Sequence, residues 1–189
     1  MSITNSSAAR RAGFKINNKS VSDEAAISMA KIGTRTLRFP LPSCIWVMSG
    51  TSVAIGEDGI FPVITLPNAN SGNLYTSFRL LAEWVSGNDI SINIYWKSSG
   101  VSGNVKFTVA LASKTVGETT ASSNTQTVTT AAQTTAGKVQ KSTVTFSNSL
   151  FAAGDIIGIN ILRDPTDVDD TLTSDISFIG AEAEYTGRG

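Results

Sequence analysis

The chain has 189 residues, of which 41% are apolar and 16% charged, enough for one domain with a sizeable core. It contains no histidine and a single cysteine, Cys44, which excludes an intrachain disulfide, Ser-His-Asp and Cys-His nucleophile chemistry within the chain, and histidine-ligated zinc. Net charge is zero but segregated: residues 1–39 hold seven basic and two acidic side chains, a net of +5, and the rest of the chain is −5.

Residues 1–21 are small and polar and follow neither helical nor strand periodicity, so they cannot bury enough surface to fold alone. Their start lacks the apolar stretch of a secretory signal, and no run of 18 apolar residues is present, so neither a leader nor a membrane partner is expected. Ser22 to Lys31 predicts one short helix, with Ser22 as N-cap, Asp23 and Glu24 in the first turn and Gly33 beyond its end. Residues 1–33 thus form a basic N-terminal arm containing a short helix. Its Arg10, Arg11, Lys15, Lys19 and Lys31 are the candidate partner-binding residues. Their charges are dispersed, Phe14 is the one interleaved aromatic and the body is acidic, so nucleic acid is not the expected partner.

From residue 34 the period becomes two. Thr34 to Leu41 predicts a strand ended by Pro40 and Pro42, followed by short runs at Ile45–Met48 and Ser52–Ile55, a turn at Glu57–Gly59 and a strand at Ile60–Leu66, which Pro62 marks as an edge. Residues 67–73 are a loop by composition. Tyr75–Val85, Ile90–Trp96 and Val105–Leu111 predict a three-stranded antiparallel meander. Residues 115–137 carry eleven Ser or Thr and predict a long exposed loop with a weak edge strand near Thr125–Thr129. Val139–Phe146, Ile156–Leu162 and Asp175–Tyr185 complete about eight strands. Short strands at this spacing with polar turns define an all-β fold, an antiparallel β-sandwich over residues 34–189, and the long crossing loop suits a jelly roll.

One constellation stands out as a candidate metal site: Asp164, Asp167, Asp169 and Asp170, four carboxylates in seven residues, a donor set suited to calcium. The spacing departs from the EF-hand pattern and lacks its glycine, so Asx turns with Arg163 pairing a loop carboxylate are the stronger reading. Trp46, Trp84, Tyr95, Trp96 and Phe107 suggest a sugar platform, yet they fall within strands, where core packing is the default. Tyr95 and Trp96 alternate, so one of them should face outward. No catalytic residue and no cofactor is expected.

Several segments carry a resemblance: Ile92 to Ser98, Gly103 to Phe107, Gly137 to Thr143, Ala153 to Asp164, and Asp169 to Leu172 continuing through Gly180 to Thr186. Over somewhat more than half the chain it resembles a β-sandwich module of tailed-bacteriophage virion surface proteins. Such modules occur in capsid decoration or cement proteins and in tail-fibre or receptor-binding proteins. The resemblance implies a non-enzymatic virion protein, made in the host cytoplasm and placed on the outer capsid surface. Its partners would then be the major capsid protein and itself, as a homotrimer, with the arm as attachment device. The alternative it implies is a tail-fibre or receptor-binding component that grips host polysaccharide. A polysaccharide-cleaving enzyme is disfavoured by the missing histidine.

Overall fold

A computed structural model describes residues 33–42, 45–119, 122–147, 149 and 151–188. The arm, the helix expected at 22–31, and with them Arg10, Arg11, Lys15, Lys19 and Lys31, lie outside the described residues. So does Cys44.

Eleven strands build the described body: β1 (Thr34–Pro42), β2 (Val47–Ser49), β3 (Ala54–Asp58), β4 (Phe61–Leu66), β5 (Gly72–Arg79), β6 (Ile90–Ser98), β7 (Asn104–Lys114), β8 (Ser122–Ala131), β9 (Gln140–Phe146), β10 (Ile156–Arg163) and β11 (Ile176–Arg188). The first sheet runs β3-β4-β11-β6-β9, with β1 also paired to β11. The second runs β2-β5-β10-β7-β8. Every pairing given a register is antiparallel. From β4 to β11 each link crosses between the sheets except the β7–β8 hairpin. That winding is a jelly roll.

Three expectations are corrected. The meander does not form, because β5 and β7 both flank β10 in the second sheet while β6 lies in the first. Alternation decides which side chains are buried. It does not decide which strand becomes the neighbour. The link from β6 to β7 crosses over the end of the sandwich, and it is pinned there by a close backbone approach. A Cβ on Gly103, whose φ is +94°, would come within 2.6 Å of the Thr171 carbonyl oxygen. The strand expected over Tyr75–Val85 also stops early, at Arg79. Leu80 instead donates its N–H to the Asp155 carbonyl at 2.8 Å, and Trp84 forms an isolated bridge to Gly187. The Ser/Thr-rich stretch is more regular than expected, since β8 spans ten residues on the edge of the second sheet. Its exposed hydroxyls leave no apolar alternation to mark it.

The core is the sum of the inward faces. Ile92, Ile94 and Trp96 of β6 and Ile176 and Phe178 of β11 meet Val105, Phe107, Val109 and Leu111 of β7 and Ile157, Ile159 and Ile161 of β10. Each such side chain stabilises the fold by roughly 1.5–3 kcal/mol. Trp96 packs edge-on against Phe107 across the two sheets, centroids 5.9 Å apart, and its Nε1–H donates to Ser142 Oγ at 2.9 Å. A bulge between Phe178 and Gly180 shifts the inward set of β11 from Ile176 and Phe178 to Ala181, Ala183 and Tyr185. Trp46, Trp84, Trp96 and Phe107 are all core residues, and Tyr95 is the member of its pair that faces outward.

Candidate functional site

The acidic loop is a structural fastening. Arg163, the inward-facing end of β10, has no exposed side-chain surface, and neither has Asp170. The guanidinium grips Asp170 with two bonds, Nε to Oδ2 at 3.0 Å and Nη2 to Oδ1 at 3.1 Å. Its other N–H groups reach the carbonyls of Leu66, Leu172 and Ser174 at 3.0–3.2 Å. All five donors are used, so the charge is buried without an unsatisfied hydrogen. Asp170 Oδ2 also accepts the Lys106 N–H. Asp164 and Asp167 each accept a backbone N–H two residues on, from Thr166 and Asp169. These are the Asx turns the sequence suggests.

Lys106 Nζ lies 2.9 Å from both Asp167 Oδ2 and Asp169 Oδ2. Hydrogen bonds to Asp167 and Asp169 raise the Lys106 pKa above its ordinary 10.5. The Asp169 N–H and then Lys106 lower that of Asp167, while Thr166 and Ser71 lower that of Asp164. The geometry thus follows the stronger of the two sequence readings for Asp164, Asp167, Asp169 and Asp170, Asx turns and an Arg163 pair, rather than the weaker calcium candidate. Asp170 is taken by Arg163, Asp164 by Thr166 and Ser71, and Asp167 and Asp169 share Lys106; among the described residues no three Cys, Asp or Glu side chains group so as to hold a metal ion.

On the outward face of the first sheet a hollow of about 260 Å³ opens among Asp58, Phe61, Tyr95, Val139 and Ile179, and several charged groups on that face are paired. Arg38 Nε lies 3.1 Å from Glu184 Oε2 and 3.7 Å from Glu182 Oε1. Asn93 donates to both carboxylates and accepts from Thr143 Oγ1 at 2.8 Å. Lys97 pairs with Asp58. Burial, and next the nearby Glu182, push the Tyr95 pKa up.

The outward face of the second sheet is built differently. Register places Val47, Tyr75, Asn160, Ala110 and Thr125 in one row across all five strands. The next row is Ser77, Gly158, Ala112 and Ser123. The row after it is Arg79, Ile156 and Lys114. On the other side of Tyr75 lie Ser49, Asn73, Leu162, Thr108 and Thr127. Because Gly158, Ala110 and Ala112 are small, a depression of about 240 Å³ opens beside Tyr75 and Asn160. A second hollow of about 590 Å³, bordered by Phe39, Ile45, Val47 and Ser77, opens against the same tyrosine. Tyr75 is 41% exposed. Asn160 Oδ1 is shielded from solvent and has no hydrogen-bond partner among the described residues, an arrangement that costs free energy unless something donates to it.

Such a face offers one aromatic ring for stacking, a floor low enough to admit a flat ligand and a fringe of hydroxyls. None of these residues stands out in the sequence, where Tyr75 is one aromatic in a long strand. The usable signal was parity: Leu74 and Phe78 point inward, which puts Tyr75 outward.

No family model matches the sequence, and no curated protein matches it. Solved structures do show similarity. A bacteriophage CBA120 tailspike protein 4 domain aligns over 77% of this chain at 11% identity with a TM-score of 0.44, and this chain spans 19% of that one. The family 11 carbohydrate-binding module from Clostridium thermocellum, solved with a β-1,3-1,4-mixed-linked tetrasaccharide, aligns over 77% of this chain and 94% of its own at 10% identity, TM-score 0.44. The CBM22-2 xylan-binding domain from Paenibacillus barcinonensis aligns over 80% and 99% at 9% identity, TM-score 0.42.

Proposed function

We propose that this protein is a glycan-binding β-sandwich module that presents the outward face of its second sheet to a polysaccharide and performs no chemistry on it. The observation that carries this reading is Tyr75, a half-exposed ring held between two hollows and beside the floor made by Gly158, Ala110 and Ala112. A tyrosine ring in that setting stacks on the apolar C–H face of a pyranose, while the hydroxyls of Ser77, Thr108 and Thr125 serve its hydroxyl groups. On the resemblance to virion modules we extend the reading to a receptor-binding or tail-fibre component. The cement reading drew on arm residues that lie outside the described ones, and nothing in the described body favours it.

The test is a glycan-array screen of the full chain beside its Tyr75→Ala variant. Specific hits that vanish in the variant are expected. An array with no hits, or hits indifferent to the substitution, would sink the reading.

A further inference from the structure

Two rows from Tyr75 along the strands, the same face carries Arg79 and Lys114 on either side of Ile156. With strands ~4.8 Å apart, their Cα atoms stand about 10 Å from each other, close enough for two long side chains to converge over the isoleucine between them. Ile156 is 50% exposed, so the described residues leave that spot uncovered. Arg79 Nε donates to the Gly154 carbonyl at 3.3 Å, which steadies the guanidinium while leaving its Nη groups available. Among the described residues neither Arg79 nor Lys114 has a carboxylate within salt-bridge reach. The nearby acids are already engaged. Asp155 accepts from Thr115 Oγ1 and the Ala152 N–H, and Glu118 accepts the Thr115 N–H. Elsewhere on the body Arg38, Lys97, Lys106 and Arg163 all have carboxylate partners. Arg35, Lys138, Lys141 and Arg188 also lack a carboxylate within salt-bridge reach among the described residues, but they lie on strands of the first sheet or in a loop, so Arg79 and Lys114 are the unmatched pair on the face that holds the open tyrosine.

We infer that the ligand is an acidic polysaccharide, whose sugar carboxylate is clamped by Arg79 and Lys114 while a neighbouring ring of the same chain stacks on Tyr75. This rests on the glycan reading above and deepens it. The four residue steps from Tyr75 to Arg79 span about 13.6 Å of strand, room for a short run of pyranose rings lying along it. Arginine's planar fork matches a carboxylate with two parallel hydrogen bonds, and lysine adds a point charge. A carboxylate borne on the pyranose itself keeps the charged unit and the stacking unit in one continuous sugar chain, which a phosphodiester-linked polymer does not require.

The experiment measures binding of the full chain to polygalacturonate, alginate and hyaluronan, and to each polymer after its carboxylates are reduced to alcohols. It is repeated for the Arg79→Gln/Lys114→Gln variant and for Tyr75→Ala. The inference expects at least one acidic polymer to bind tenfold or more tighter than its reduced form. It expects the double variant to lose that preference while holding the reduced polymer as well as the parent does, and added salt to weaken only the acidic complex. Equal affinity for acidic and reduced polymers, or a preference that survives in the double variant, overturns the inference. If that result comes with binding that depends on Tyr75, the glycan reading stands without it. Binding to none of the six polymers, or binding indifferent to Tyr75→Ala, overturns both. Both substituted cations are exposed strand positions, so the variant retains its fold.

Discussion

The acidic loop and the Tyr75 face invite opposite expectations. The loop gathers Asp164, Asp167, Asp169 and Asp170, residues of a type that binds ions. Folding consumes them: Arg163 and Lys106 answer the charges, and two Asx turns absorb the remaining lone pairs. The face around Tyr75 is made of ordinary strand residues, yet it keeps a half-exposed ring and two unmatched cations. A dense cluster of charged side chains is thus a poor guide to a binding site when the cluster satisfies itself. What a fold leaves unsatisfied on a well-supported sheet is the better one.

The largest effect that tests this contrast is on stability. Arg163→Met strands a fully buried Asp170, and the fold should lose about 3–5 kcal/mol, with the thermal midpoint falling by about 6 °C or more. Arg163→Met/Asp170→Leu should recover much of that loss, because removing both partners leaves no unpaired buried charge. A loop variant that unfolds no earlier than the parent would end the view of the loop as a fastening.

Tyr75→Ala should do the reverse. Glycan affinity should fall tenfold or more, about 1.4 kcal/mol, while chemical denaturation shifts by no more than about 0.5 kcal/mol. A smaller, severalfold loss is expected from Gly158→Val. A Cβ there meets nothing nearer than the Ala112 carbonyl at 3.7 Å, so the strand accepts it, and a β-branched side chain suits a strand while raising the floor beside the tyrosine. Wild-type affinity in a folded Gly158→Val protein would show that the depression holds no ligand.

The smallest effect is the pH dependence of the fastening. Asp164 and Asp167 titrate below their ordinary 3.8, so their contribution is complete above that value and is lost as pH falls below it. Lys106 titrates above 10.5, so its contribution is present below that value and fades as pH rises past it. Comparing thermal midpoints of the parent and Lys106→Met across both limits should show the difference narrowing at each end.

Much of the architecture was legible in residue patterns. The inward isoleucines of β6 and β10 and the alternation of β7 mark half-buried strands because a sheet buried on one face imposes period two. The Arg163 pairing was legible too, since an arginine beside four carboxylates has an obvious partner. Strand partnership was not, because Ile90–Trp96 reads alike whether its neighbour is β5 or β11. β8 was legible only in part: the weak edge strand read near Thr125–Thr129 lies within it, but its polar residues hid its full length. The site escaped for a related reason. Tyr75, Asn160 and Ala110 are 85 residues apart at the extremes and become a row only through two registers that no local pattern fixes.

The place of β11 has a consequence for how the protein comes to be made. It lies between β4 and β6 and also takes β1, and each of these precedes it in the chain. While a ribosome extends the polypeptide, β4 and β6 must wait with unpaired backbone along the sides that β11 will fill, so the first sheet closes late and in one step. Contacts this distant in sequence make closure slow, and the open edges are a route to aggregation during synthesis. A nascent chain stalled before Ile176 should therefore be sensitive to protease throughout the first sheet and should gain protection abruptly once β11 emerges.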